Sequence, residues 1–180
     1  MIYMILAELT ERLNEYLSAF YDIPEEIVSL GMPVSSGEEP VNKLQLFLLN
    51  LERETSMGIG SASRTDTSGR YPRYAPAWNL NLYFAVAAVF DEKRYADSLK
   101  LLSGALAFLQ QNSTFRTAGG DTFTIEPVTL NIQELTNVWS ILGGTYYPSA
   151  VCKLRMLTID GREVKGTVEK ITRPDLHLNT

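Results

Sequence analysis

The opening segment restricts the fold of this chain more than any other. Ile2, Ile5, Leu6, Leu9, Leu13, Leu17 and Phe20 recur there at spacings of three and four. Such spacing gathers them on one stripe of an α-helix. Glu8 and Arg12 stand four apart on the polar side, in the order that favours an ion pair. A helix with a single apolar stripe needs a cover, so the rest of the chain has to provide one. Pro24 blocks simple continuation of the helix.

The cover is expected from strands. A short strand is expected at Ile27 to Leu30, followed by a loop from Pro33 to Pro40 that contains Ser35, Ser36 and Gly37. Leu44 to Leu51 is apolar on both faces, as a strand buried on both sides would be; a buried helix is the alternative. Gly58 to Pro76 is rich in Gly, Ser, Thr, Arg and Pro and reads as a long loop, of the kind that is functional or ordered by a partner. Leu80 to Phe90 returns to a strand pattern, with Leu80, Leu82, Phe84 and Val86 alternating with Asn81 and Tyr83. Asp91 then caps a helix with Tyr95, Leu99, Leu102, Leu106 and Leu109 on one face. Gly104, Ala105 and Ala107 permit close packing on another side of that helix.

Gln111 to Asp121 reads as a polar turn region. Phe123 to Ile132 is a strand whose Pro127 suits an edge or a bulge. Gln133 to Leu142 is a short helix ended by Gly143 and Gly144. Ala150 to Ile159 is a last strong strand, Asp160-Gly161 a hairpin signal, and one more strand is expected near Val164 to Ile171. The order defines an α+β fold: a single domain with a mixed or mostly antiparallel sheet packed with three helices. Residues 1–160 are expected to form the domain, and 161–180 a strand and tail extending it. No internal repeat or linker is visible.

Composition narrows the function. A formal charge of −5 argues against nucleic acid as a partner. The charge is unevenly spread: residues 1–54 hold ten acids and three bases, whereas residues 151–180 hold six bases and four acids. An acidic start and basic later segments suit head-to-tail contact between subunits. Cys152 is the only cysteine, so no intrachain disulfide forms, as befits a reducing cytoplasm or indifference to redox. The first twenty residues carry Glu8, Glu11, Arg12 and Glu15 and lack the features of a signal peptide. No run reaches the ~18 apolar residues that spanning a bilayer needs, so no direct membrane insertion is expected.

The search for chemistry comes back empty. His177, the sole histidine, lies near the end of the chain, where packing rarely holds an imidazole for catalysis. One His and one Cys make no standard zinc site. Gly58-Ile59-Gly60-Ser61 lacks the lysine of a phosphate loop and the third glycine of a dinucleotide fingerprint. Glu25-Glu26 and Glu38-Glu39 read as solvated carboxylates. Arg64, Arg70 and Arg73 suit an acidic surface on another subunit better than a phosphate. Trp78 and Trp139 are expected as core or interface anchors.

Several segments together carry a resemblance. Ala75-Pro76-Ala77-Trp78-Asn79-Leu80-Asn81-Leu82-Tyr83 leads into a helix ending Leu106-Ala107-Phe108-Leu109-Gln110. Leu130-Asn131, Leu135-Thr136-Asn137-Val138-Trp139 and Leu142-Gly143-Gly144-Thr145-Tyr146-Tyr147-Pro148-Ser149 follow, and Lys153-Leu154-Arg155-Met156 continues the last strong strand. This order resembles the cap, or tube-terminator, family of contractile injection systems of the antifeeding-prophage and virulence-cassette type. The helix-Gly-Gly-Tyr-Tyr-Pro-Ser segment is its most specific part.

The resemblance implies a phage tail-terminator-like fold and a structural, non-enzymatic role without cofactor or metal. It implies a ring of six copies on the last layer of the inner tube protein, touching the contractile sheath protein; the expected location is the cytoplasm, as part of a particle that is then released, stays free or associates with a membrane. The expected interface residues are Arg64, Arg70, Arg73, Tyr146, Tyr147, Val164 and Val168, with the segment around Val164 to Ile171 joining the sheath by strand addition. The alternatives are a terminator or connector of a contractile phage tail, an effector-loading adaptor, or a small enzyme using Gly58 to Arg73 as a phosphate loop.

Overall fold

The opening helix forms as its periodicity requires: α1 spans Ile2–Tyr21. A computed structural model describes it together with the rest of residues 1–33, 39–54, 71–74, 77–159 and 164–168. After α1 come β1 (Val28–Leu30), β2 (Lys43–Arg53), β3 (Tyr71–Tyr74) and β4 (Trp78–Val89). A short 3-10 turn, Glu92–Arg94, leads into α2 (Tyr95–Gln111). Then follow β5 (Thr114–Arg116), β6 (Thr122–Val128), α3 (Ile132–Ile141), β7 (Ser149–Ile159) and β8 (Val164–Val168). The expected α+β class holds, with a mixed, curled six-stranded sheet in the order β1-β2-β4-β7-β6-β5. β1 runs parallel to β2, while β5 and β7 flank β6 antiparallel to it. The residues group into two compact units, Met1–Glu52 with Asn81–Leu157, and Arg53–Leu80 with Thr158–Thr180.

In the larger unit, Leu9, Leu13 and Leu17 of α1 are fully buried. Burial of each stabilises the fold by about 1.5–3 kcal/mol. The stripe stops at Leu17, because Phe20 is exposed and stacks on Tyr16 instead. Polar groups of α1 tie it to both edges of the sheet. On one side Asn14 Oδ1 accepts the N–H groups of Ile27, at 2.7 Å, and Val28, at 3.0 Å, at the start of β1. On the other, Glu8 accepts the N–H of Ala118 at 2.9 Å, in the turn between β5 and β6. The Arg12 guanidinium, paired with Glu8, lies 4.8 Å from the ring centre of Phe115 on β5.

β4 is the middle of the core. Ala85, Ala87 and Val89 cluster with Phe47, Val151 and Trp139 of α3. Leu82, Phe84 and Val86 alternate with them, face the opposite side of the sheet and are also fully buried. From Leu82 to Val89 the strand is therefore covered on both faces apart from half-buried Tyr83, and Asn81 is buried as well.

The packed face of α2 differs from the expected one. Tyr95, Leu99 and Leu106 are exposed, and Ser98, Leu101, Leu102, Ala105, Phe108 and Leu109 are buried. Gly104 explains the choice. A Cβ there would lie 2.7 Å from Leu17 Cδ2 and 3.1 Å from the Tyr21 ring, so any larger residue would push these α1 side chains aside. The hydroxyl of Tyr21 donates to the carbonyl of Lys100 beside that contact.

Other elements follow their local signals. Asp91 accepts from Lys93 N–H as a cap, though the first turn is 3-10 rather than α-helical. Asn131 and Glu134 form a capping box at the start of α3, and Gly143 and Gly144 end it with φ of 104° and 82°. Pro127 lies beyond the reach of β5. Ile125 N–H is bonded to Ser113 on the β5 side, and two residues on, a missing N–H toward that side costs nothing. Met156 on β7 is a non-glycine residue at φ 75°, immediately past the last pair with β6, Thr124 with Arg155.

Two loop readings are corrected. The expected loop Gly58 to Pro76 contains β3, and the region Gln111 to Asp121 contains β5. The added strand near Val164 exists as β8, but it pairs antiparallel with β3 rather than folding back on β7. Asp160-Gly161 and the loop core from Ser35 to Gly37 lie outside the described residues. Replacing Gly104 with Val is expected to lower stability by about 1–3 kcal/mol through overpacking. Thermal unfolding of Gly104→Val against the parent chain measures this.

Candidate assembly surface

No pair of side chains dominates the surface; an unfinished sheet edge does. β1 ends at Leu30 because Gly31 and Pro33 follow it, and it covers only Leu44 to Leu46 of the eleven-residue β2. Leu44 N–H bonds Ile27 C=O at 2.8 Å, and Leu46 C=O accepts Gly31 N–H at 3.0 Å. By the two-residue period of a strand, Leu48 and Asn50 direct their backbone groups to the same side. Among the described residues no strand pairs there.

A groove of about 610 Å³ runs beside this half of β2, lined by Leu48 to Glu52, Met32, and Val138 and Ile141 of α3. Only Trp139 of α3 is buried, and Ile141 is 85% exposed, so the helix covers the sheet incompletely. At the lip, Glu52 accepts from the Tyr83 hydroxyl at 2.7 Å and from Lys153 Nζ at 3.1 Å. The ammonium lies 5.1 Å from the Tyr83 ring centre. Hydrogen bonding to Tyr83 first, and to Glu52 next, holds Lys153 above its ordinary pKa. Sequence reasoning misses this trio because its members sit on three strands and meet only through sheet register.

Two of the expected interface residues meet around Trp139. Tyr146 and Tyr147 each pack edge-on against its indole, at 5.8 Å between ring centres. Tyr147 is half-buried, and burial raises its pKa, whereas Tyr146 is 58% exposed and is the outward member of the pair. Trp139 is a core anchor, but Trp78 is exposed. Arg73 belongs to β3, and Val164 and Val168 are the ends of β8. Arg64, Arg70 and His177 lie outside the described residues. Among the described residues no cluster of His, Cys, Asp and Glu could hold a metal ion, and no helix is long and apolar enough to cross a membrane.

This fold is similar to that of two solved proteins. It is shared with the PVC sheath/tube terminator of an extracellular contractile injection system in its extended state. That match has a TM-score of 0.69 at 13% identity, over 100% of this chain and 64% of the other. It is also shared with the tube-terminating cap of the anti-feeding prophage, at a TM-score of 0.62 and 15% identity, over 93% and 59% of the two chains. The chain thus spans about three fifths of the length of these two proteins. No curated protein matches the sequence. The chain belongs to the Pvc16 N-terminal domain family, whose model matches residues 5–173.

Cys152 plays no part in the groove. It is buried on β7, and burial pushes its thiol up from 9.0 to about 11. The unfolded chain ionises this thiol first, so the group contributes stability below about pH 9 that is lost as pH rises toward about pH 11. Denaturant midpoints across that window are expected to fall more steeply for the parent chain than for Cys152→Ala. A thiol reagent at neutral pH is expected to react only after unfolding.

Proposed function

We propose that this chain is a structural cap that ends the inner tube of a phage-tail-like contractile injection system. Copies close into a ring of six, the ring docks on the last layer of the tube, and its outer side meets the end of the contractile sheath. The observation that carries this reading is the joint one: a family model over nearly the whole chain, and a terminator fold over the same residues.

A tube lengthens because each ring offers one surface to the ring below and another to the ring above, and such heterologous contacts do not stop by themselves. A cap copies the docking surface and omits the one that would receive another ring. In this reading the role is structural, without catalysis or cofactor, and the particle assembles in the cytoplasm. Residues 1–160 act as one cap domain, with 161–180 as its extension. Arg64, Arg70 and Arg73 dock against acidic groups of a neighbouring subunit, and Tyr146 faces outward into a contact. Charged pairs across such a surface set register and rate of association.

Electron microscopy of particles made with and without this chain tests the reading. Its loss is expected to give tubes of uncontrolled length or open ends; particles of unchanged length and closed ends would overturn it. Reversing the charge at Arg64, Arg70 and Arg73 together is expected to weaken incorporation by about tenfold or more while leaving the melting temperature of the free chain unchanged. Quantifying the chain in purified particles checks this.

A further inference from the structure

Among the described residues, a stretch of sheet edge lacks a partner strand and a two-stranded ribbon lacks a third. The open stretch, the acceptor, is the outer edge of β2 past Leu46, where Leu48 and Asn50 direct backbone donors and acceptors away from β4. The ribbon is the two-stranded sheet of β3 and β8, which gains no third strand among the described residues. An isolated two-stranded ribbon is marginally stable in water and gains by joining a larger sheet. Within it β3 carries Pro72, which has no N–H to offer, whereas every residue of β8 has one.

We propose that β8 of one copy adds to the open edge of β2 in the next copy, in line with β1, and that this strand addition is a ring-closing contact. Three features fit the pair. The lengths are compatible: β8 has five residues, and Phe47 to Arg53, seven residues beyond the cover of β1, leave room for them. The chemistry agrees, since the groove along β2 is apolar and β8 supplies Val164 and Val168. Charge agrees as well: β3 and β8 carry Arg73 and Lys165 and no acid, whereas residues 1–54, which hold the acceptor, have ten acids against three bases. The contact uses two different surfaces of one chain, so it is heterologous and closes only as a ring. It gives Val164 and Val168 a neighbouring copy as partner in place of the sheath.

This inference rests on the ring reading, and the test separates the two. Full-length Asn50→Cys chains are mixed with full-length Lys165→Cys or Thr167→Cys chains at ring-forming concentration, with tube protein present, and oxidised. A disulfide-linked heterodimer can form only between copies, and the native Cys152 is buried and stays silent. The expected result is that heterodimer, absent from either chain oxidised alone. Asn50→Pro removes an N–H that faces the open edge without taking one from the pairing with β4, so it is expected to lower the ring population by about tenfold or more. Its circular dichroism should match that of the parent.

Rings that form with no heterodimer at either position overturn this contact and leave the ring reading standing. Chains that stay monomeric at every concentration, tube protein included, overturn both. Should Asn50→Pro fail to fold, the cross-link alone decides.

Discussion

One helix holding both edges of one sheet is the constraint on which this structure depends. Six strands about 4.8 Å apart span roughly 24 Å when flat, more than twice the ~10 Å width of a helix. Yet α1 bonds β1 through Asn14 and the β5–β6 turn through Glu8. The sheet meets both demands only by curling round the helix. The fully buried leucines of α1 then become the filling of a trough rather than one face of a flat sandwich. α2 joins on the same side through Gly104, and the outer side is left to α3, whose ten residues are too short to close it.

Much of this was legible in the sequence where local periodicity decides the outcome. α1, β2, β4 and β7 follow from apolar spacing, and Gly143 and Gly144 end α3 as glycines end helices. The errors arise where two local patterns compete and a tertiary contact chooses. α2 is apolar on more than one side: Leu102 and Leu109 of the expected face are buried, but Leu101, Ala105 and Phe108 join them in place of Tyr95, Leu99 and Leu106, on the side where Gly104 lets α1 pack closely. Likewise β3 hid among turn-forming residues, since Tyr71–Tyr74 becomes a strand only through pairing with β8.

Legibility of the candidate surface is similarly divided. Tyr146 and Tyr147 could be named from sequence but not told apart; Trp139 separates them by drawing Tyr147 inward. The trio of Glu52, Tyr83 and Lys153 needs the alignment of three strands and leaves no trace in spacing. The open half of β2 did leave one. Gly31 and Pro33 stop β1 early while no breaker interrupts Lys43 to Arg53, and a long strand beside a short one has a bare edge. An open edge among the described residues, exposed apolar side chains on α2 and a half-covered groove are features common at interaction surfaces.

Met156 carries a consequence for how β7 can sit. A side chain held in the left-handed region costs about 1–3 kcal/mol, so the strand tolerates it only at a place the surroundings enforce. Sliding β7 by one position would shift that conformation onto Arg155 or onto fully buried Leu157, and would turn every inward residue outward. The kink therefore works as an indexing notch that gives the strand a single seat in the sheet.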